Sequence, residues 1–260
     1  METAPVSESM LSVLFGSSAE YVVHELSCLS RPRSANITAI VRIAYQRLGD
    51  AISKPAAIPA NILGALVADG SFCRDPLAQL YWAGIIASSR TTPPRDDRGI
   101  RLLGLLSRLS IYQIRTHCLF YRTLRTLLLA RNIDRADFES RRYLMAVFAP
   151  ADGYMQTMAF DEAELAMVNT LASDALLGLG DENLLDGSNT GSAEYLKTFY
   201  ESRTIHGDGI AYQPSLLGIR FFLWAFGAGE KDSNHMLYPN FHCEVDGIPD
   251  AIPGAAMIYD

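Results

Sequence analysis

Apolar positions recur at three- and four-residue spacing along most of this 260-residue chain, which predicts a largely helical fold. AEYVVHELSC, residues 19–28, places Tyr21, Val22, Glu25 and Leu26 at helical spacing, and SRPRS after it is a break. Asn36 then stands as an N-cap before Ile37, Ile40, Val41, Ala44 and Leu48, an amphipathic stripe with Arg42 and Arg47 off it. Pro59 suits the first turn of a further helix, which Gly70 ends. Residues 1–18 show no such period and are expected to fray.

The next signal is the strongest. Asp75 can accept the free amides of a first helical turn, and Pro76 loses no bond there. Leu77, Leu80, Tyr81, Gly84 and Ile85 cover one side of the helix that follows, while Trp82 and Ile86 cover another. A helix apolar on nearly all sides is predicted to be central and buried. Pro93-Pro94 makes a turn, a helix follows over 97–109, and Ser110 caps another over 111–130. Residues 134–148 read as a helix ended by Ala149-Pro150, and 151–160 are ambiguous, with strand-like residues in YMQTMAF.

Beyond that, FDEAELAMVNTLASDALLGLG reads as one helix with acids in its first turn and glycines at its end. DENLLDGSNTGS is expected to be an acidic loop and AEYLKTFYES a short helix. GDGIAYQ is a short strand, and Ser215 caps LLGIRFFLWAFG. FHCEVDG alternates Phe241, Cys243 and Val245 against His242, Glu244 and Asp246, so it reads as a strand and turn. The fold class predicted is mainly α. A flexible segment over 1–18 precedes a helical bundle over 19–149, and a smaller acidic α+β portion covers 150–260. The element order of that portion is also that of a winged-helix-like unit.

Composition agrees with a globular chain: 49% hydrophobic and 20% charged residues exclude a mainly disordered one. A membrane-spanning helix needs about 20 apolar residues. LLGIRFFLWAFGAG is shorter and contains Arg220. The N-terminus carries acids where a secretion signal carries Lys or Arg. The four cysteines, Cys28, Cys73, Cys118 and Cys243, stand singly, as in a reduced protein with scattered thiols. The expected location is the cytoplasm.

Charge is unevenly spread. The net charge is −7, yet residues 90–142 hold 12 Arg against 5 acids, and residues 143–260 hold 17 acids against 4 basic side chains. A basic middle and an acidic tail can neutralise each other within a chain or between subunits.

The order of signals from residue 16 to about 125 resembles the Abi-alpha family of bacterial abortive-infection proteins. Its carriers are the helix around Ala19 to Leu26, the Asn36–Ile37 helix, the Pro59 helix, and Asp75-Pro76-Leu77. The run from Leu80-Tyr81-Trp82 to Ala87-Ser88, the break at Leu109-Ser110 and the late LLGIRFFLWAFG complete it. The resemblance covers about half the chain. It implies a helical bacterial protein tied to phage defence, and it implies no catalytic residue or cofactor.

Four groups are candidates for chemistry. Arg101, Arg108 and Arg115, Arg122 recur every seven residues, with Arg125 beside them. Such a face can neutralise phosphates, with aromatic side chains stacking on bases. Its ordinary reading is a solvated face, or one paired with the acidic C-terminal half. Ser110 also cuts the series across two helices. His235, His242, Glu244 and Asp246, with His206, Asp208 and Cys243 nearby, hold the donor types a divalent transition metal takes, but in no recognised spacing. His117 and Cys118 are neighbours pointing about 100° apart on a helix, so they form no nucleophile–base pair. They read as a core cysteine and an exposed or capped histidine. Phe221, Phe222, Trp224 and Phe226 wrap one helix, as a core helix does, or as an oligomer or lipid-facing surface does.

The functional expectations are therefore three. The first is an interaction protein without catalysis, binding a protein partner or itself. The second is a nucleic-acid binder using the arginines, and the third a metal-dependent enzyme using the C-terminal His/acid group.

Overall fold

The computed structural model describes residues 7–54, 56–92, 96–132, 138 and 145–259. The predicted turn at Pro93-Pro94 and most of the predicted helix over 134–148 lie outside the described residues. The chain forms two compact units, Met1–Arg108 with Leu223–Glu230, and Leu109–Phe222 with Lys231–Asp260. The first division falls beside Ser110.

The first unit is helical among its described residues. It holds α1 (Glu8–Phe15), α2 (Ala19–Cys28), α3 (Arg31–Leu48), α4 (Ala60–Ala68), α5 (Pro76–Ser88) and α6 (Arg98–Leu106). Residues 8–15 do not fray: Ser7 caps α1, and Leu11, Leu14 and Phe15 are buried. Helix α3 starts five residues ahead of Asn36, because Pro32 sits in a first turn that does not need its missing N–H. Asn36 instead donates its side-chain amide to Ser71 O at 2.8 Å.

Helix α5 is the centre of this unit, as its apolar surface predicts. The Asp75 side chain accepts from Ala78 N at 2.8 Å, and Tyr81, Trp82, Ile85 and Ile86 are all buried. The 223–230 segment packs on it so closely that a Cβ built on Gly84 falls 1.8 Å from Ala225 O. Ser88 Oγ donates to Trp224 O and accepts from Gly229 N, each at 3.1 Å. Arg90, counted in the basic block, is a staple here. Its guanidinium donates to the carbonyls of Val13, Ala51 and Lys54 at 2.7–2.9 Å.

The second unit is built on α7 (Ile111–Ala130), started by Ser110 in a reciprocal cap with Gln113. Around it are β1 (Val147–Pro150), α8 (Ala151–Met158), α9 (Glu162–Leu165), α10 (Val168–Asp181), β2 (Leu185–Gly191), α11 (Ala193–Lys197) and β3 (Gly209–Pro214). Helix α12 (Leu216–Ala225) follows, its residues to Phe222 in this unit and the rest in the first, and β4 (Ala256–Met257) closes the order. The strands form one antiparallel sheet in the order β2-β3-β1-β4. Mainly α, with a smaller α+β portion, is thus the architecture.

Several local expectations change. Residues 147–150 are a strand, not the end of a helix, since Val147–Pro150 pairs with β3 on one side and with β4 on the other. Residues 151–158 are helical. The helix predicted over 160–180 is two, α9 and α10, with Asp161 and Glu164 capping the first. The supposed loop in 181–192 contains β2, an edge strand paired to β3. Phe221, Phe222, Trp224 and Phe226 are all buried, so α12 and its end are core.

Gly84→Ala is expected to lower stability by about 1–3 kcal/mol, because the methyl meets backbone that cannot rotate away. Urea unfolding checks this, and a loss within about 0.5 kcal/mol would refute the close approach.

Candidate functional site

Helix α7 uses its arginines on the chain's own C-terminal segment. Arg115 donates from Nε and Nη2 to Thr157 O at 3.1 and 2.8 Å, and from Nη2 to Gly247 O at 3.4 Å. Arg122, 3% exposed, donates to Ile248 O at 2.6 Å and pairs with Asp250. Arg125 donates to the carbonyls of Met236, Tyr238 and Phe241 at 2.8–3.1 Å. Between the arginines, Thr123 Oγ1 accepts from Ile252 N and Thr126 Oγ1 donates to Asp250 O, both at 3.0 Å. Among the described residues, Asp250 is the one carboxylate these three arginines reach. Arg101 and Arg108 belong to the other unit and are exposed. Arg108 turns back to Gly104 O at 2.7 Å. The sevenfold spacing therefore presents no single guanidinium face: Arg101 and Arg108 are exposed, while Arg115 and Arg122 are bonded to carbonyls.

That pairing also explains why FHCEVDG is not a strand. The carbonyls of Phe241, Gly247 and Ile248 are taken by arginines instead of by a neighbouring strand. The segment ends in an Asp246-Gly247 turn, with Gly247 at φ 72°. His242, Glu244 and Asp246 consequently share no strand face. His242 Nδ1 lies 3.8 Å from Glu244 Oε2, and both side chains are exposed. The His235 ring is stacked on Tyr238 at 5.2 Å and meets Phe241 edge-to-face at 5.7 Å. Burial, with Lys231 nearby, holds its imidazole below its usual range, against the pull of Asp232. Among the described residues no three potential ligands come together.

His117 is not exposed, as the sequence suggested, but fully buried with Cys118. Its ring lies 4.5 Å from Tyr121 and 5.0 Å from Phe221. Nε2 is 3.1 Å from Gly218 O. A carbonyl only accepts, so Nε2 carries the proton of a neutral imidazole. Burial pushes its pKa from 6.5 to about 3, and the bond to Gly218 opposes this only in part.

Two surface features of the second unit escaped the sequence reading. The first is a row of aromatic rings. Leu196 and Tyr200, four residues apart, turn inward onto a cluster of Ala146, Phe148, Ile205, Ala211 and Ile258. Tyr195 and Phe199 turn outward and are 49% and 54% exposed. The rings follow one another, Tyr195 to Phe199 at 5.2 Å, Phe199 to Tyr200 at 6.5 Å and Tyr200 to Tyr259 at 6.5 Å. Ser202 Oγ donates to Ile258 O at 2.6 Å, which holds the Tyr259 end beside the Tyr200 end. The signal in the sequence was the i, i+4 pair in AEYLKTFYES, opposite Leu196. Tyr259 could join only through the fold.

The second feature is a cleft of about 360 Å³ between α8, α10, the end of β2 and the start of β3. Its apolar lining includes Tyr154, Met155, Leu176 and Ile210. GSNTGS, which lacks the lysine of a phosphate cradle, supplies Thr190, Gly191 and Ser192 to its wall. The cleft and the row adjoin, since a Cβ on Gly191 falls 2.8 Å from the Tyr195 ring.

No protein-family model matches the chain, and no curated protein or solved structure matches it. Among the described residues no helix is long and apolar enough to cross a membrane.

Arg122→Met is expected to cost about 1.5–3 kcal/mol, the worth of a hydrogen bond from a charged donor to a buried carbonyl. Arg101→Met, on an exposed face, should stay within about 0.5 kcal/mol of the parent in the same urea titration. Equal effects would remove the distinction between pinned and free arginines. His117 makes a pH prediction. Below pH 6.5 the unfolded chain protonates this imidazole while the folded chain does not, so stability falls as pH falls from 6.5 towards 3. The slope from this group is about 1.4 kcal/mol per pH unit. A His117→Gln variant should lose that part of the slope, and parallel pH–stability curves for the two proteins would contradict a neutral buried histidine.

Proposed function

We propose that this chain is an interaction protein without catalysis, and that it docks a protein partner on the aromatic row of Tyr195, Phe199, Tyr200 and Tyr259. The observation that carries this reading is the exposure of Tyr195 and Phe199 above a buried base. Large rings held on a rigid support bury much area at little entropic cost, which is what interface centres need. Contiguous exposed apolar surface of this kind costs solubility unless a partner covers it.

The partner's sign follows from charge. Residues 143–260 carry 17 acids against 4 basic side chains, and the arginines of α7 take carbonyls in preference to those acids. The negative surplus is left to attract a partner with basic side chains around an apolar centre. By the Abi-alpha resemblance alone, we further propose that this docking takes place in the bacterial cytoplasm during phage defence. A nucleic-acid role would need Arg115, Arg122 and Arg125 to give up their carbonyl partners, so the protein-partner reading is favoured.

The test is a Tyr195→Ser, Phe199→Ser double variant. Both side chains are exposed, so its melting temperature should match the parent. Its binding to a partner identified by cross-linking and then purified should weaken at least tenfold, about 1.4 kcal/mol. Binding of the parent should also weaken with added salt. An unchanged dissociation constant in the double variant would overturn the assignment of the row.

A further inference from the structure

We infer that the cleft beside the row is a binding site for a small organic cation, an amine or guanidinium on an apolar stem, with Asp208 as its counter-charge. The inference is independent of the docking proposal. It rests on what lines the cleft and on what is absent from the lining.

Among the described residues that line the cleft, Asp208 is the one that carries a charge, and none is Lys, Arg or His. Among them an anionic ligand would meet a carboxylate and no cation. The acidic surplus of residues 143–260 adds a field of the same sign. The chemistry of the wall is hydrogen bonding of a specific kind. Asn169 and Ser173 lie one turn apart on α10, and Thr190 ends β2. Their side chains and that of Asp208 make no hydrogen bond or ion pair with any described residue. Asn169, Ser173 and Thr190 both donate and accept, and the Asp208 carboxylate only accepts, so an N–H donor finds acceptors at every one of them.

The shape selects the rest of the ligand. Tyr154, Leu176 and Ile210 are buried side chains that supply an apolar lining. The Tyr154 hydroxyl is already bonded to Thr116 Oγ1 at 2.7 Å, so it is fixed within the unit. A volume of about 360 Å³ lies at the small end of ligand sites, about 300–1,000 Å³. It suits a ligand with a single ring or a short alkyl stem. A free amine and a lysine side chain of a peptide share this chemistry.

Isothermal titration of the full chain can separate them. The probes are phenethylammonium chloride, its uncharged isostere 2-phenylethanol, and the peptide acetyl-Gly-Gly-Lys-Gly-Gly-amide. Phenethylammonium or the peptide should bind saturably, and the tighter of the two names the source. Asp208→Asn should weaken that binding at least tenfold, and Ser173→Trp should abolish it by filling the cleft. Both residues are exposed, so both variants should keep the parent's melting temperature. Equal binding of 2-phenylethanol would overturn the inference. So would unchanged affinity in the Asp208→Asn variant, or no saturable binding of either cation up to about 10 mM.

Discussion

Three guanidinium groups on one face of α7 hold the C-terminal part of the second unit in place. Arg115, Arg122 and Arg125 donate to six carbonyl oxygens, five of them in residues 236–248. That segment contains a 3-10 turn at Ser233–Leu237 and an isolated bridge between Val245 and Ile248, but no strand of the sheet. An irregular segment must find partners outside regular structure for the backbone groups it buries. Arginine suits this role because one planar group reaches several acceptors at once and stays charged. Each side of the arrangement depends on the other. Without the segment Arg122 would lose the partners of its buried charge, and without Arg122 the carbonyl of Ile248 would lose a buried donor.

This use of the arginines has an electrostatic consequence. Among the described residues Arg115, Arg122 and Arg125 bond mainly to neutral carbonyls, and Asp250 is the one acid these three reach. The acids of residues 143–260 leave that stretch negative, and among the described residues lining its cleft there is one carboxylate and no cation.

Much of the helical framework was legible because its signals are local. Asp75-Pro76, Ser110 with Gln113, and Ser215 each satisfy amides within three residues, so their chemistry is complete in the sequence. The burial of α5 was readable from apolar residues on all its sides. What misled were segments whose local pattern was overruled by a distant partner. DENLLDGSNTGS has loop composition, yet part of it pairs along β3 as an edge strand. FHCEVDG has strand alternation, yet arginines claim its carbonyls. His117 read as an exposed or capped histidine, and burial among aromatic rings made it a neutral core donor. Of the site, Asp208 was noticed only as one of several acids, and the aromatic row was divided between residues some 60 positions apart.

The sequence by itself determined where most helices begin, which helix would be central, and that charge would be segregated along the chain. Caps, apolar periods and composition act over a few residues or over none. Tertiary structure alone decided which groups satisfy the arginines, because a guanidinium donates to a carboxylate or to a carbonyl alike and linear spacing does not distinguish them. It decided as well that Tyr259 stands beside Tyr200, and that Asp208 meets Asn169, Ser173 and Thr190 around one cleft. Those neighbours come from different helices and strands, and only the packing of the second unit brings them together.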